Sequence, residues 1–90
     1  MDCKRYLKKG SLKIRNLGSM FRVYDYESGI VVELNESAKQ IWSMLDDKPL
    51  DDIARFLVED YGIDYETAEG DVDKLVRYLE EKGIIFENRC

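Results

Sequence analysis

Asn35 separates two habits of hydrophobic spacing. Before it, apolar and polar residues mostly alternate; after it, apolar residues recur every three or four positions. A period of two places side chains on opposite faces of a strand, and a period near 3.6 gathers them into one helical stripe. The stretch GIVVELNESAKQIW, residues 29–42, contains the junction. Gly29 to Leu34 reads as a strand and Glu36 to Trp42 as a helix, with Asn35 between them as a helix N-cap and no linker.

Upstream, Ser11 to Leu17 reads as a first strand, with Leu12 and Ile14 on one face and Lys13 and Arg15 on the other. Gly18-Ser19 is a turn signal. Met20 to Tyr26 alternates Phe21 and Val23 against Arg22 and Tyr24, and Glu27-Ser28-Gly29 makes a second turn before Ile30 to Leu34. Three strands joined by short turns form an antiparallel meander.

Downstream, Ala38, Ile41, Trp42 and Leu45 form one apolar stripe. Asp46-Asp47-Lys48-Pro49 ends that helix. A second runs from Leu50 to Asp60, with Leu50, Ile53, Ala54 and Leu57 inward and Gly62 suited to the left-handed position beyond its end. Asp64 is placed to cap a third helix, which closes at Lys82-Gly83 and carries the stripe Ala68, Val72, Leu75, Val76 and Leu79. Ile84-Ile85-Phe86 is a short apolar tail suited to a small final strand. The fold class is α+β: a three-stranded meander followed by three helices, in which the second and third helices form a helix-turn-helix and the strands its wing.

At 90 residues the chain makes one domain, 1–90, with residues 1–10 read as a flexible basic arm. No apolar stretch is long enough for a membrane span, and the N-terminus lacks a signal-peptide core, so a cytoplasmic location is expected. In that setting Cys3 and Cys90 are expected to be free thiols, although neighbouring termini would allow a disulfide. Net charge is −5, yet residues 1–24 hold seven basic residues (Lys4, Arg5, Lys8, Lys9, Lys13, Arg15 and Arg22) against Asp2 alone, leaving −11 on the rest. Such asymmetry either steers an acidic partner or is an ordinary solvated face.

Catalytic chemistry finds little footing. There is no His, no CxxC, and no GxGxxG, Walker or GxSxG motif. Asp51/Asp52 and Glu80/Glu81 are adjacent on helices, so their carboxylates diverge. Asp64-Tyr65-Glu66 is too short for an EF-hand loop. No enzyme activity, metal or cofactor is expected. Tyr24 and Tyr26 share an outer strand face with Arg22, a pattern found in single-strand nucleic-acid binders but commoner in solvated sheets. From Asp64 to Lys82 the third helix holds seven acids and three bases, so a DNA phosphate backbone would repel it. Duplex DNA is therefore not an expected partner.

The stretch GIVVELNESAKQIWSMLDDKPLDDIARFLVEDYGIDYETAEGDVDKLVRYLEEKGII resembles the PqqD-like family. The resemblance rests on an ordered series: the strand ending in Leu34-Asn35, the Ile41-Trp42 pair, Pro49-Leu50-Asp51-Asp52-Ile53, Tyr61-Gly62-Ile63-Asp64, Asp71-Val72, and Lys82-Gly83-Ile84-Ile85. It covers residues 29–86 well; residues 1–28 match only as a hairpin. It implies a non-catalytic recognition element that holds the leader segment of a ribosomally made precursor peptide. The element would present the core to a modifying enzyme, a radical SAM enzyme or a cyclase. It further implies a leader that adds as a strand beside Ile30, Val31, Val32, Glu33 and Leu34 and rests on Asp71, Val72, Leu75, Val76 and Leu79.

The physics of the third strand agrees with that use. An apolar edge strand is an aggregation hazard unless it is covered or used, and strand addition uses its row of N–H and C=O groups. The same edge would allow a homodimer. The alternative is a winged-helix protein acting in transcription through nucleic acid or a protein partner, and a third reading is a small subunit that stabilises an enzyme.

Overall fold

A computed structural model describes residues 5–88; Cys3 and Cys90 lie outside the described residues. The strands are β1 (Arg5–Lys8), β2 (Leu12–Leu17), β3 (Met20–Asp25), β4 (Val31–Leu34) and β5 (Ile85–Asn88), and the helices are α1 (Glu36–Met44), α2 (Leu50–Tyr61) and α3 (Tyr65–Glu81). The expected meander is present as an antiparallel sheet in the order β2-β3-β4. Its register pairs Ile14 with Val23 and Val23 with Val32 across the core-facing side. Lys13, Tyr24 and Val31 align on the outer side, followed by Arg15, Arg22 and Glu33.

Residues 1–10, read from sequence as an arm, include a strand. Arg5–Lys8 pairs antiparallel with β5 in a separate two-stranded sheet. A lone ribbon is marginal in water; here Tyr6 and Ile85, 3% and 2% exposed, anchor it to the core. Its basic side chains turn toward acids of the same chain. Lys8 lies 3.5 Å from Asp46 and 4.5 Å over the Trp42 ring, and Arg5 Nη1 donates to the Asp47 carbonyl.

The N-cap at Asn35 is as expected, its side chain accepting the Ala38 N–H at 2.9 Å. Gly62 takes the left-handed conformation and donates its N–H to Val58. Gly83, also left-handed, closes α3 in a Schellman arrangement: Ile84 N–H reaches the Leu79 carbonyl and Gly83 N–H the Glu80 carbonyl. Asp64 occupies the N-cap of α3, but its side chain makes no capping bond.

One core joins both sheets and all three helices. It contains Val23, Val32 and Leu34 from the meander; Ile41, Trp42 and Leu45 from the first helical segment; and Ile53, Leu57, Val72, Val76, Leu79 and Ile84. Trp42 lies inward, as its stripe requires. α2 packs on α3 as a helix-turn-helix, and α1 packs on β3 and β4. This is the α+β, winged-helix-like architecture expected from the sequence.

Candidate functional site

Parity along the meander decides which backbone groups are spare. The Asp25 N–H donates to the Ile30 carbonyl at 2.8 Å. Hydrogen-bonding directions alternate along an antiparallel strand, so Val32 and Leu34 also bond inward to β3. Val31 and Glu33 then direct their N–H and C=O groups to the open side. Among the described residues no strand pairs with that side of β4.

Beside this edge lies a cleft of about 380 Å³ lined by Glu33, Leu34, Asn35, Ser37, Ala38, Ile41, Asp71, Lys74, Leu75 and Tyr78. The end of β4 and the first turns of α1 form one side, and α3 forms the other. On α3 the lining positions 71, 74, 75 and 78 follow the helical neighbour spacing, so they share one face. The adjoining face, Ala68, Val72, Val76 and Leu79, is buried in the core.

The residues singled out from sequence therefore fall into three groups. Glu33, Leu34, Asp71 and Leu75 meet at the cleft. Val31 is 47% exposed on the outer sheet face and brings its backbone to the edge, and Ile30 is half-buried at the start of the strand. Val32, Val72, Val76 and Leu79 have core side chains and set the positions of strand and helix. Lys74 and Tyr78, with Ser37, Ala38 and Ile41, were not picked out. The 71/74/75/78 spacing was the available signal, masked because Lys and Tyr do not read as an apolar stripe.

Charges around the cleft are partly tied. Arg22 Nε and Nη2 both reach Glu33 Oε2, at 3.1 and 2.5 Å. The turn leading into β4 is fixed by Asp25, only 1% exposed. Its carboxylate accepts from Lys9 Nζ at 2.8 Å, Ser11 Oγ at 2.6 Å, Ser28 Oγ at 2.7 Å and the Glu27 N–H at 3.1 Å. The Lys9 contact, then that of Ser11, holds the Asp25 carboxyl well below the usual carboxylate range, against the opposing effect of burial. The same contact raises Lys9.

A second cavity, of about 490 Å³, lies between the starts of α2 and α3 and includes Asp51, Tyr65, Glu66, Glu69 and Asp73. Tyr65 donates its hydroxyl to Asp51, whose other oxygen faces Arg55 Nη2 at 3.1 Å. That hydrogen bond raises the Tyr65 pKa. Among the described residues no group of three or more His, Cys, Asp or Glu is placed to hold a metal, and no helix is long and apolar enough to cross a membrane.

Comparison with known proteins identifies similar folds and a family. The structure described as "Lasso peptide synthetase B1 complexed with the leader peptide" is 26% identical, covers 91% of this chain and 98% of its own, and has a TM-score of 0.82. "TbiB1 in Complex with the TbiA(beta) Leader Peptide" shares the fold at 20% identity and a TM-score of 0.78, covering 87% of this chain and 92% of its own. No curated protein matches the chain. The family profile described as Coenzyme PQQ synthesis protein D (PqqD) matches residues 22–85, most of the length, and the chain belongs to the PqqD family.

Proposed function

We propose that the chain is a non-catalytic recognition element that captures the leader segment of a ribosomally made precursor peptide and presents it to a modifying enzyme. The observation carrying this reading is the Val31–Glu33 backbone, unpaired among the described residues, beside the cleft against α3. The leader adds as a strand to β4, and its inward side chains rest against Leu75 and Tyr78. Val32, Val72, Val76 and Leu79 act from beneath by holding the two walls in place. Two similar solved structures are described as complexes with leader peptides, which supports the reading.

Magnitudes show what each part must supply. Four backbone hydrogen bonds at about 1 kcal/mol each and two buried apolar side chains at about 2 kcal/mol each give about 8 kcal/mol. Ordering a flexible peptide costs about 2–5 kcal/mol. The edge alone therefore falls short of micromolar affinity, near −8 kcal/mol. Contacts from the cleft, with Asp71, Lys74 and Tyr78 at its wall, must supply the difference.

The modifying enzyme is a radical SAM enzyme or a cyclase acting in the cytoplasm, and this chain contributes binding only. Duplex DNA is not the partner, because the acids of α3 oppose it. A second copy pairing at β4 would compete with the leader for the same groups. The test is calorimetric titration with the leader of a precursor peptide identified among the neighbouring genes, with sedimentation alongside. We expect micromolar one-to-one binding. Absence of binding by a folded monomer would refute the reading.

A further inference from the structure

Strand addition has a second face, turned from the core, where the side chains of Val31 and of Glu33, itself at the rim of the cleft, stand. Resting on the proposed function, we infer that Glu33 selects a basic side chain in the leader and Val31 an apolar one two residues away, both on the sheet surface turned from the core. Val31 and Glu33 offer backbone groups to the open edge while their side chains stand on the outer face, exposed to 47% and 45%. A strand added in either direction places one residue beside each, with its side chain on that same face. Leader residues between those two point instead toward the cleft.

The two outer rows differ in chemistry. One row runs Lys13, Tyr24, Val31, so the incoming residue meets an exposed β-branched side chain with an exposed tyrosine beyond it. An apolar or aromatic residue pairs best there. The other row runs Arg15, Arg22, Glu33. Both Arg22 contacts fall on Oε2 of Glu33, and Oε1 has no partner among the described residues. The incoming residue thus meets a carboxylate with a free acceptor.

Arg22 and Arg15 oppose a cation at this position, and distance decides the outcome. Strands lie about 4.8 Å apart, so the new residue's backbone is nearest that of Glu33. The Arg22 guanidinium itself sits on Oε2, at 2.5 Å, and a cation that reaches Oε1 meets the carboxylate before the arginine. Arg15, a further strand away, is weakened by screening over about 8 Å at physiological salt, whereas Arg22 stays close and reduces the attraction. Attraction to the carboxylate prevails, at the modest level of an exposed cross-strand pair.

The experiment replaces each leader position in turn by Lys and by Glu and titrates both series against four proteins: wild type, Glu33→Lys, Glu33→Gln and Arg22→Gln. Circular dichroism verifies the fold of each. At one position wild type should bind the Lys peptide about three- to fivefold more tightly than the Glu peptide. Glu33→Gln should abolish the preference, Glu33→Lys should invert it, and Arg22→Gln, which frees the second carboxylate oxygen, should enlarge it. Equal binding of Lys and Glu peptides at every position would overturn the inference, as would a preference unchanged in folded Glu33→Gln. Failure of wild type to bind the unsubstituted leader would overturn the proposed function as well, so the two failures are distinguishable.

Discussion

Among the described residues the meander has two open edges, β2 and β4, and they are built differently. Along β2 every residue from Lys13 to Leu17 is exposed. The Tyr26 N–H donates to the Ser11 carbonyl, so by alternation Leu12, Ile14 and Asn16 carry the spare backbone groups of β2. Lys13 and Arg15 flank them, and charged side chains on an edge strand discourage pairing with other chains. Along β4 exposed and buried residues alternate, α1 packs behind the strand, and the cleft against α3 runs beside its edge. Both edges offer hydrogen bonds; only β4 adds a wall on which side chains can rest. Backbone groups supply affinity that is indifferent to sequence, and a neighbouring wall makes it selective.

The largest effect should come from turning the inward parity of β4 against the fold. Val32 bonds to β3 and is 1% exposed. Val32→Pro removes that bond and disturbs the core, so thermal unfolding should move down by more than about 10 °C or the fold should be lost. A melting temperature near wild type would show the parity of β4 to be the reverse.

Helix α3 repeats the contrast between supporting and exposed positions. Leu79 is fully buried, and Leu75 is only partly buried at the cleft. Leu79→Ala should cost about 2–5 kcal/mol, read by denaturant unfolding. Leu75→Ala should cost less than about 1.5 kcal/mol of stability while weakening leader binding several-fold. Equal stability losses at the two positions would remove the distinction between the faces.

Much of this arrangement was legible in the sequence. The change of period at Asn35 separated wing from helices, and Asn35, Gly62 and Gly83 marked boundaries through local backbone chemistry. Less legible was whatever depends on partners distant in sequence. Arg5–Lys8 is four residues long with one large inward side chain, and its partner strand lies at the other end of the chain. Asp25 resembles any polar residue at a turn until Lys9, Ser11 and Ser28 converge on it. The α3 stripe is core at Ala68, Val72, Val76 and Leu79, and Leu75 is only partly buried. Leu75 was grouped with it because sequence spacing does not distinguish the centre of a stripe from its rim.

A smaller effect should appear with pH at the turn that fixes the start of β4. The folded pKa of Asp25 is lowered, so its contribution is fully present above the unfolded carboxylate value of about 3.9. It fades as pH falls from there toward the lower folded value. Asp25→Asn should lower the melting temperature at pH 7 by on the order of 5–10 °C and make the remaining decline below pH 4 shallower. An acid limb of unchanged steepness would mean that Asp25 is not the group responsible.

The central claim, that the outward backbone of β4 captures the leader, is tested most directly by matched proline substitutions at the two edges. Ile14→Pro and Val31→Pro each remove an N–H that points away from β3, one on β2 and one on β4. Calorimetric titration with the leader should give Ile14→Pro an affinity within about twofold of wild type. Val31→Pro should bind at least about tenfold more weakly, the effect of a lost hydrogen bond and a displaced strand, while its circular dichroism stays that of wild type. Wild-type affinity in a folded Val31→Pro variant, or an equal loss at Ile14→Pro, would contradict strand addition at β4.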